Sequence, residues 1–230
     1  MKVGGFQKTS LIDFPDEISS IIWTIGCNFK CPFCYNKNLV EGKLKEISED
    51  EIFLYLKKRQ GLVDGVAITG GEPLIQKDII DFIKKIKSLN YLVKLDTNGT
   101  NPEKLKELID KKLIDYVSMD IKAPKEKYKK LAGTDVDIKK IEKSINFLKN
   151  SKIEYEFRTT FVPDLLKKED VLEIAKWLKG SKKFYLQQFK INPPLLSSKI
   201  EKLKPYQKEY LFETIEEIKP YFDFCNVRGI

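Results

Sequence analysis

With no histidine anywhere in its 230 residues, the chain cannot be a Ser-His-Asp hydrolase, a histidine-ligated zinc hydrolase, a facial-triad iron oxygenase or any enzyme built on a histidine base. Its 42 basic and 34 acidic residues leave a net charge of +8, set in mixed patches such as 104–112 and 139–149 that suit a solvated surface of the heat-adapted kind. Arginine is scarce, so no nucleic-acid partner is expected. An apolar fraction of 42%, without a bilayer-length run or a signal-type start, predicts one cytoplasmic domain over 1–230 and no membrane association.

In chain order, residues 1–18 carry Gly4-Gly5 and then Thr9-Ser10-Leu11-Ile12-Asp13-Phe14-Pro15, a short hairpin-like lead-in. Residues 21–25 predict a buried strand that Gly26 breaks. Cys27-Asn28-Phe29-Lys30-Cys31-Pro32-Phe33-Cys34-Tyr35 follows, with three of the four cysteines inside eight residues. A tight turn there can bring the three sulfurs to one point, and soft thiolates suit an iron–sulfur centre, zinc or copper(I). Three ligands are one fewer than a closed structural site wants. A polar linker runs to Gly42. Ser48 and Glu51 then form a capping box for a helix over about 49–59, with Ile52, Leu54, Tyr55 and Leu56 apolar, and Gly61 stops it.

From there the pattern alternates. Strands are predicted over 65–69, 91–95, 114–119, 153–160 and 184–189, with a closing strand over 222–227. Helices are predicted over 76–89, 102–112, 125–131, 138–148, 167–179 and 205–219. Such alternation predicts an α/β fold, a parallel sheet with helices outside that winds as an open, partial (β/α)6 barrel. The lead-in (1–18) precedes a barrel core (19–190), and a C-terminal helix and closing segment (191–230) follow it. The polar motifs all fall just past strand C-termini: the Cys loop, Gly70-Gly71-Glu72-Pro73, Asp96-Thr97-Asn98-Gly99 and Asp120-Ile121-Lys122. That edge is where parallel α/β folds bind ligands.

Taken singly, these motifs have bland readings as turns and a strand-end charge pair. Paired glycines also allow a backbone to approach a ligand closely. Two carboxylates and a lysine on neighbouring strand ends suit a zwitterion with ribose hydroxyls: carboxylates accept from hydroxyls, and the lysine meets a ligand carboxylate. Arg158 lies in the fifth strand, where an inward arginine is costly unless paired with an anion. Only one of Gln187 and Gln188 can face inward, and Gln187 is the expected one.

The C-x3-C-x2-C spacing followed by Tyr35 resembles the cluster loop of the radical S-adenosylmethionine (radical SAM) enzymes. The resemblance implies that Cys27, Cys31 and Cys34 hold a 4Fe–4S cluster, leaving one iron open to S-adenosylmethionine, with Phe33 and Tyr35 beside that cofactor. It implies that Gly70, Gly71 and Glu72 turn backbone groups toward the cofactor's amino group, Glu72 itself acting structurally. The Asp-Thr-Asn-Gly turn and the Asp-x-Lys strand end narrow the resemblance to glycyl-radical-enzyme activating enzymes. There Asp120 and Lys122 match cofactor contacts, with Asn98 in the turn, while Asp96, Thr97 and Ser118 fall near a monovalent cation beside the cofactor carboxylate. Arg158 is a further cofactor-side residue, and Gln187 stands where relatives carry a histidine near the adenosine. Asp13, in a D-G-P-like lead-in that lacks the glycine, matches a substrate-peptide contact.

No ferredoxin-like insert separates the Cys loop from Gly70. Residues 9–15, with the closing Val227-Arg228-Gly229, resemble the activating proteins of anaerobic ribonucleoside-triphosphate reductase. A flavodoxin- or ferredoxin-type donor would then reduce the cluster, S-adenosylmethionine would be cleaved, and a hydrogen would be taken from a glycine of the partner enzyme. Two alternatives remain. One is a radical SAM enzyme acting on a small molecule or nucleoside, such as a 7-carboxy-7-deazaguanine synthase. The other is a non-catalytic iron–sulfur or zinc-binding protein, with Cys225 as the fourth zinc ligand. Cys225 is expected instead to be a buried structural cysteine.

Overall fold

In the computed structural model, which describes residues 1–191 and 194–230, the predicted alternation becomes one eight-stranded sheet whose strands stand in chain order. The strands are β1 (Val3–Ser10), β2 (Ser19–Thr24), β3 (Gly65–Gly70), β4 (Leu92–Thr97), β5 (Tyr116–Asp120), β6 (Glu154–Phe161), β7 (Ser181–Gln188) and β8 (Phe222–Arg228). β1 runs antiparallel to β2, and every later neighbour pair is parallel. The predicted closing strand is real, but it extends the sheet from β7 and does not close it. β1 and β8 remain the two edges of an open barrel.

Helices fill the crossovers: α1 (Lys37–Val40), α2 (Glu49–Lys58), α3 (Ile79–Lys87), α4 (Pro102–Asp110), α5 (Tyr128–Ala132), α6 (Ile138–Asn150), α7 (Lys168–Trp177) and α8 (Lys208–Ile218). Their starts follow local chemistry. The Ser48 hydroxyl accepts from the Glu51 amide at 3.2 Å, the Ser48 half of the expected capping box. Pro102 occupies the first turn of α4, where its missing N–H costs nothing. α1 lies in the stretch expected to be a linker, and its single turn is too short to show as a periodic pattern.

Alternation along the parallel strands sorts the two faces. One set of positions, including Ile68, Val93, Leu95, Val117, Met119 and Phe157, joins the core formed with Phe82 and Ile83 of α3, Leu105 and Leu108 of α4, and Ile141 and Ile145 of α6. Each such side chain contributes about 1.5–3 kcal/mol on full burial. The intervening positions of β4–β7 carry Lys94, Asp96, Ser118, Asp120, Glu156, Arg158, Thr160 and Gln187. Their side chains hydrogen-bond one another within and across strands or line the barrel cavity.

The lead-in does more than a hairpin. Beyond β1 the chain crosses the barrel's N-terminal end, where buried Phe14 packs against Tyr116 with ring centroids 6.1 Å apart. Gly65, the first residue of β3, leaves room for that ring: a Cβ there would lie 2.8 Å from it.

Candidate functional site

At the C-terminal edge of the strands the Cys loop is braced from three sides. From the β3 turn, the Glu72 amide donates to the Gly26 carbonyl at 2.9 Å. A Cβ on Gly71 would sit 1.8 Å from that same oxygen, so only glycine permits the contact. From α5, the Lys30 amide donates to the Ala132 carbonyl at 2.8 Å, and Gly133 (φ 68°) passes close to the Lys30 carbonyl. From the C-terminal segment, the Leu196 and Ser197 amides donate to the Cys34 and Pro32 carbonyls at 3.1 and 3.0 Å.

The Asp-Thr-Asn-Gly turn is tied to both neighbours. Asn28, a loop residue with no sequence signal of its own, accepts from the Asn98 amide group and donates to the Thr100 hydroxyl, each at 2.8 Å. Glu72 is buried and accepts from the Leu74 amide (3.0 Å), the Thr97 hydroxyl (2.8 Å) and the Asn98 amide (2.6 Å). It ties one turn to the next.

Burial pushes Glu72 up from 4.5 to about 7, against the pull of those three donors. Folded Glu72 therefore keeps a proton that the unfolded chain releases near 4.5. Its contribution to stability is complete below that pH and lost as the pH rises to 7. Urea unfolding of wild type should lose up to about 3 kcal/mol across that window, at about 1.4 kcal/mol per pKa unit. Glu72→Gln is less stable at low pH, because its NH2 faces one of the three donors, but it cannot titrate. The gap between the two proteins should narrow from pH 4.5 to 7, and a constant gap would refute the assignment.

Charges alternate across the strand ends. Asp96 is hydrogen-bonded through Oδ1 to the Lys94 ammonium, and its Oδ2 accepts from Arg158 Nη2 at 3.1 Å. Arg158 Nε donates to Asp120 Oδ1 at 2.9 Å, and Lys122 Nζ reaches Asp120 Oδ2 at 3.1 Å. Burial alone would raise both carboxylates, but the cations outweigh it. Arg158 and then Lys94 hold Asp96 low, and Arg158 and Lys122 hold Asp120 at about 2. The inward arginine thus has the anionic partners it needs. Three cations to two carboxylates leave an excess positive charge, suited to a ligand carboxylate.

Every residue expected at the site except Ser118 lines one cavity of about 420 Å3. Asp13, Gln187 and the three thiols are among them, and Gln188 is not. Ser118 is fully buried outside that wall, where its hydroxyl donates to Glu156 Oε1 at 2.9 Å. Glu156 also accepts from Tyr116 at 2.9 Å and, at 2.5 and 2.8 Å, from both terminal nitrogens of Arg228, whose guanidinium lies over the Tyr185 ring. Lys94 and Glu156 went unread in the sequence. Their signal is the period-two run of polar residues in Val-Lys-Leu-Asp and Glu-Tyr-Glu-Phe-Arg, hidden by treating the strands as buried runs.

The three sulfurs share the cavity wall without meeting at a point. Among the described residues no three Cys, Asp or Glu side chains are arranged to hold a single metal ion. A cluster takes one thiolate per iron and needs the sulfurs apart. Cys225 is not part of the wall; it stands on β8 opposite Phe184, with Sγ 4.0 Å from the Ile215 carbonyl. Burial pushes Cys27 up to about 12 and Cys31 to about 11, so strongly charged iron is the kind of centre that would draw them into thiolates. Soft donors at one side and a cationic strand-end row at another fit a cluster with a zwitterionic ligand beside it.

The sequence profile of the Radical SAM superfamily matches residues 21–179, from β2 to just past α7. The chain belongs to the radical SAM superfamily. Within it, a Methanocaldococcus jannaschii protein provisionally named a glycyl-radical enzyme activating enzyme is 38% identical over 238 residues, covering 99% of this chain and 96% of that one. The radical SAM fold recurs in Streptococcus suis SuiB bound to S-adenosylmethionine (TM-score 0.69, 16% identity, 91% of this chain, 50% of that chain). It recurs also in a domain of a Bacteroides vulgatus pyruvate-formate lyase-activating enzyme (TM-score 0.58, 16% identity, 72% of this chain, 99% of that chain). Among the described residues of this radical SAM protein, no helix is long and apolar enough to cross a membrane.

Proposed function

We propose that this protein activates a glycyl radical enzyme, holding a 4Fe–4S cluster on Cys27, Cys31 and Cys34 and S-adenosylmethionine in the 420 Å3 cavity. The observation that carries the reading is the convergence of the three thiols, the Gly70-Gly71-Glu72 turn, Asp96, Asp120, Lys122 and Arg158 on one cavity wall. The full-length similarity to the M. jannaschii relative supplies the reaction class. When bound, the reduced cluster and its cofactor supply homolytic hydrogen abstraction.

The chain's own residues bind and orient. Lys122, fixed by Asp120, offers its ammonium to the cofactor carboxylate, and the remaining lone pairs of Asp96 and Asp120 accept from ribose hydroxyls. Glu72 locks the turn whose backbone meets the amino group. Gln187, with Thr160 beside it across β6 and β7, faces the adenosine side. The braced Cys loop keeps bulk water from Cys31, which is only 7% exposed, and leaves Cys27 and Cys34 half-buried. Asp13, on the cavity wall, is assigned to a contact with the substrate backbone. The open edge between β1 and β8 admits a protein loop. The partner proposed is anaerobic ribonucleoside-triphosphate reductase, with a flavodoxin- or ferredoxin-type donor.

Anaerobic reconstitution with iron and sulfide, followed by dithionite and S-adenosylmethionine, should yield methionine and 5′-deoxyadenosine. Adding the reductase should produce the glycyl doublet in electron paramagnetic resonance. No 5′-deoxyadenosine from an iron-replete protein refutes the enzyme reading. Nucleoside formed without the doublet refutes the partner alone.

A further inference from the structure

The family resemblance implies a monovalent cation near Asp96, Thr97 and Ser118, and the side chains of these residues do not fit one. A hard cation needs several oxygen ligands turned toward a common point. Asp96 Oδ1 faces the Lys94 ammonium and Oδ2 the Arg158 guanidinium, so a metal cation at either oxygen would meet a positive charge already in place, which a neutral hydroxyl donor would not. The Thr97 hydroxyl donates to Glu72 Oε1 at 2.8 Å and accepts from the Gly99 amide at 3.1 Å. Ser118 donates to Glu156 from outside the cavity wall.

Lys94 itself has no surface role. The residue is 3% exposed, in the middle of β4, on the polar inner face between Leu92 and Asp96. Asp96 is the carboxylate it pairs with among the described residues. A lysine ammonium in such a place costs several kcal/mol of desolvation, so its position matters to that carboxylate. It is a compact point charge, as an alkali cation is, but tethered by four methylenes.

We propose that Lys94 supplies the positive charge at Asp96 permanently, so that the cofactor site works without a monovalent metal ion. Lys94 is a positioning residue. It fixes Asp96, which lines the cavity, and lies outside that wall itself. The inference rests on S-adenosylmethionine occupying this cavity.

The test measures S-adenosylmethionine affinity of the cluster-loaded protein by equilibrium dialysis in potassium, sodium or choline chloride, at a fixed ionic strength of about 0.1 M. Wild type should bind equally in all three salts. Lys94→Met should bind about tenfold more weakly in choline and recover in potassium or sodium, which can enter the space left by the ammonium. Lys94→Arg, which keeps the charge, should need no rescue. An affinity of wild type that falls severalfold on replacing potassium and sodium by choline overturns the inference and leaves the cofactor reading standing. So does undiminished binding by Lys94→Met in choline. Absence of binding by wild type in every salt overturns both. If Lys94→Met fails to hold its cluster, the wild-type salt series still decides.

Discussion

Serine at position 27, 31 or 34 should each give a folded protein without its 4Fe–4S absorbance. Cleavage of S-adenosylmethionine should fall by more than about 100-fold, the upper range for losing even a supporting residue of a metal site. A serine hydroxyl is a hard donor far less acidic than a thiol. The three thiols already sit where burial disfavours their charged form. Iron attraction must overcome that penalty three times, and two thiolates with one alcohol give it too little. The fold itself should lose only about 1 kcal/mol, within the usual range for a single substitution. Cys225→Ser should keep full iron content, since its sulfur lies on β8 away from the cavity. Iron analysis and the visible spectrum decide both cases. A cluster that survives serine at position 34, or one that disappears with Cys225→Ser, contradicts the ligand assignment.

Arg228→Met should destabilise the protein by about 3 kcal/mol in urea unfolding, the lower end of the cost of breaking a buried ion pair. The lower end applies because the Arg228 side chain is 34% exposed, whereas that of Glu156 is 0% exposed. Methionine keeps much of the stem packing on Tyr185 and removes the charge, which leaves Glu156 with Tyr116 and Ser118 alone. Adding Glu156→Gln should restore a large part of the loss, because the double variant buries no unpaired charge. If the two substitutions simply add, the pair is not coupled as described. Among the described residues β8 is an edge strand bonded only to β7, so its end should fray first and lose amide protection in hydrogen exchange.

The sequence by itself determined the chemistry-bearing turns. Spacing within the Cys loop, the paired glycines at 70 and 71, and the polar residues that end β4 and β5 are short-range features. A few bonds fix where each side chain can reach, and in an α/β alternation each of these turns must emerge at the same edge of the sheet. Family resemblance places Ser118 near the cofactor, yet its hydroxyl turns to Glu156 on the next strand.

That choice of partner, the Arg158 bridge from Asp96 to Asp120 and the Glu156–Arg228 pair were decided only by tertiary structure. Residues 62 positions apart, such as Asp96 and Arg158, meet because parallel register sets β4, β5 and β6 side by side at one height. A one-residue slip would turn each of them to the other face. The local sequence states which charges exist; the register, set by packing of the opposite, apolar face against the helices, states which of them neutralise one another.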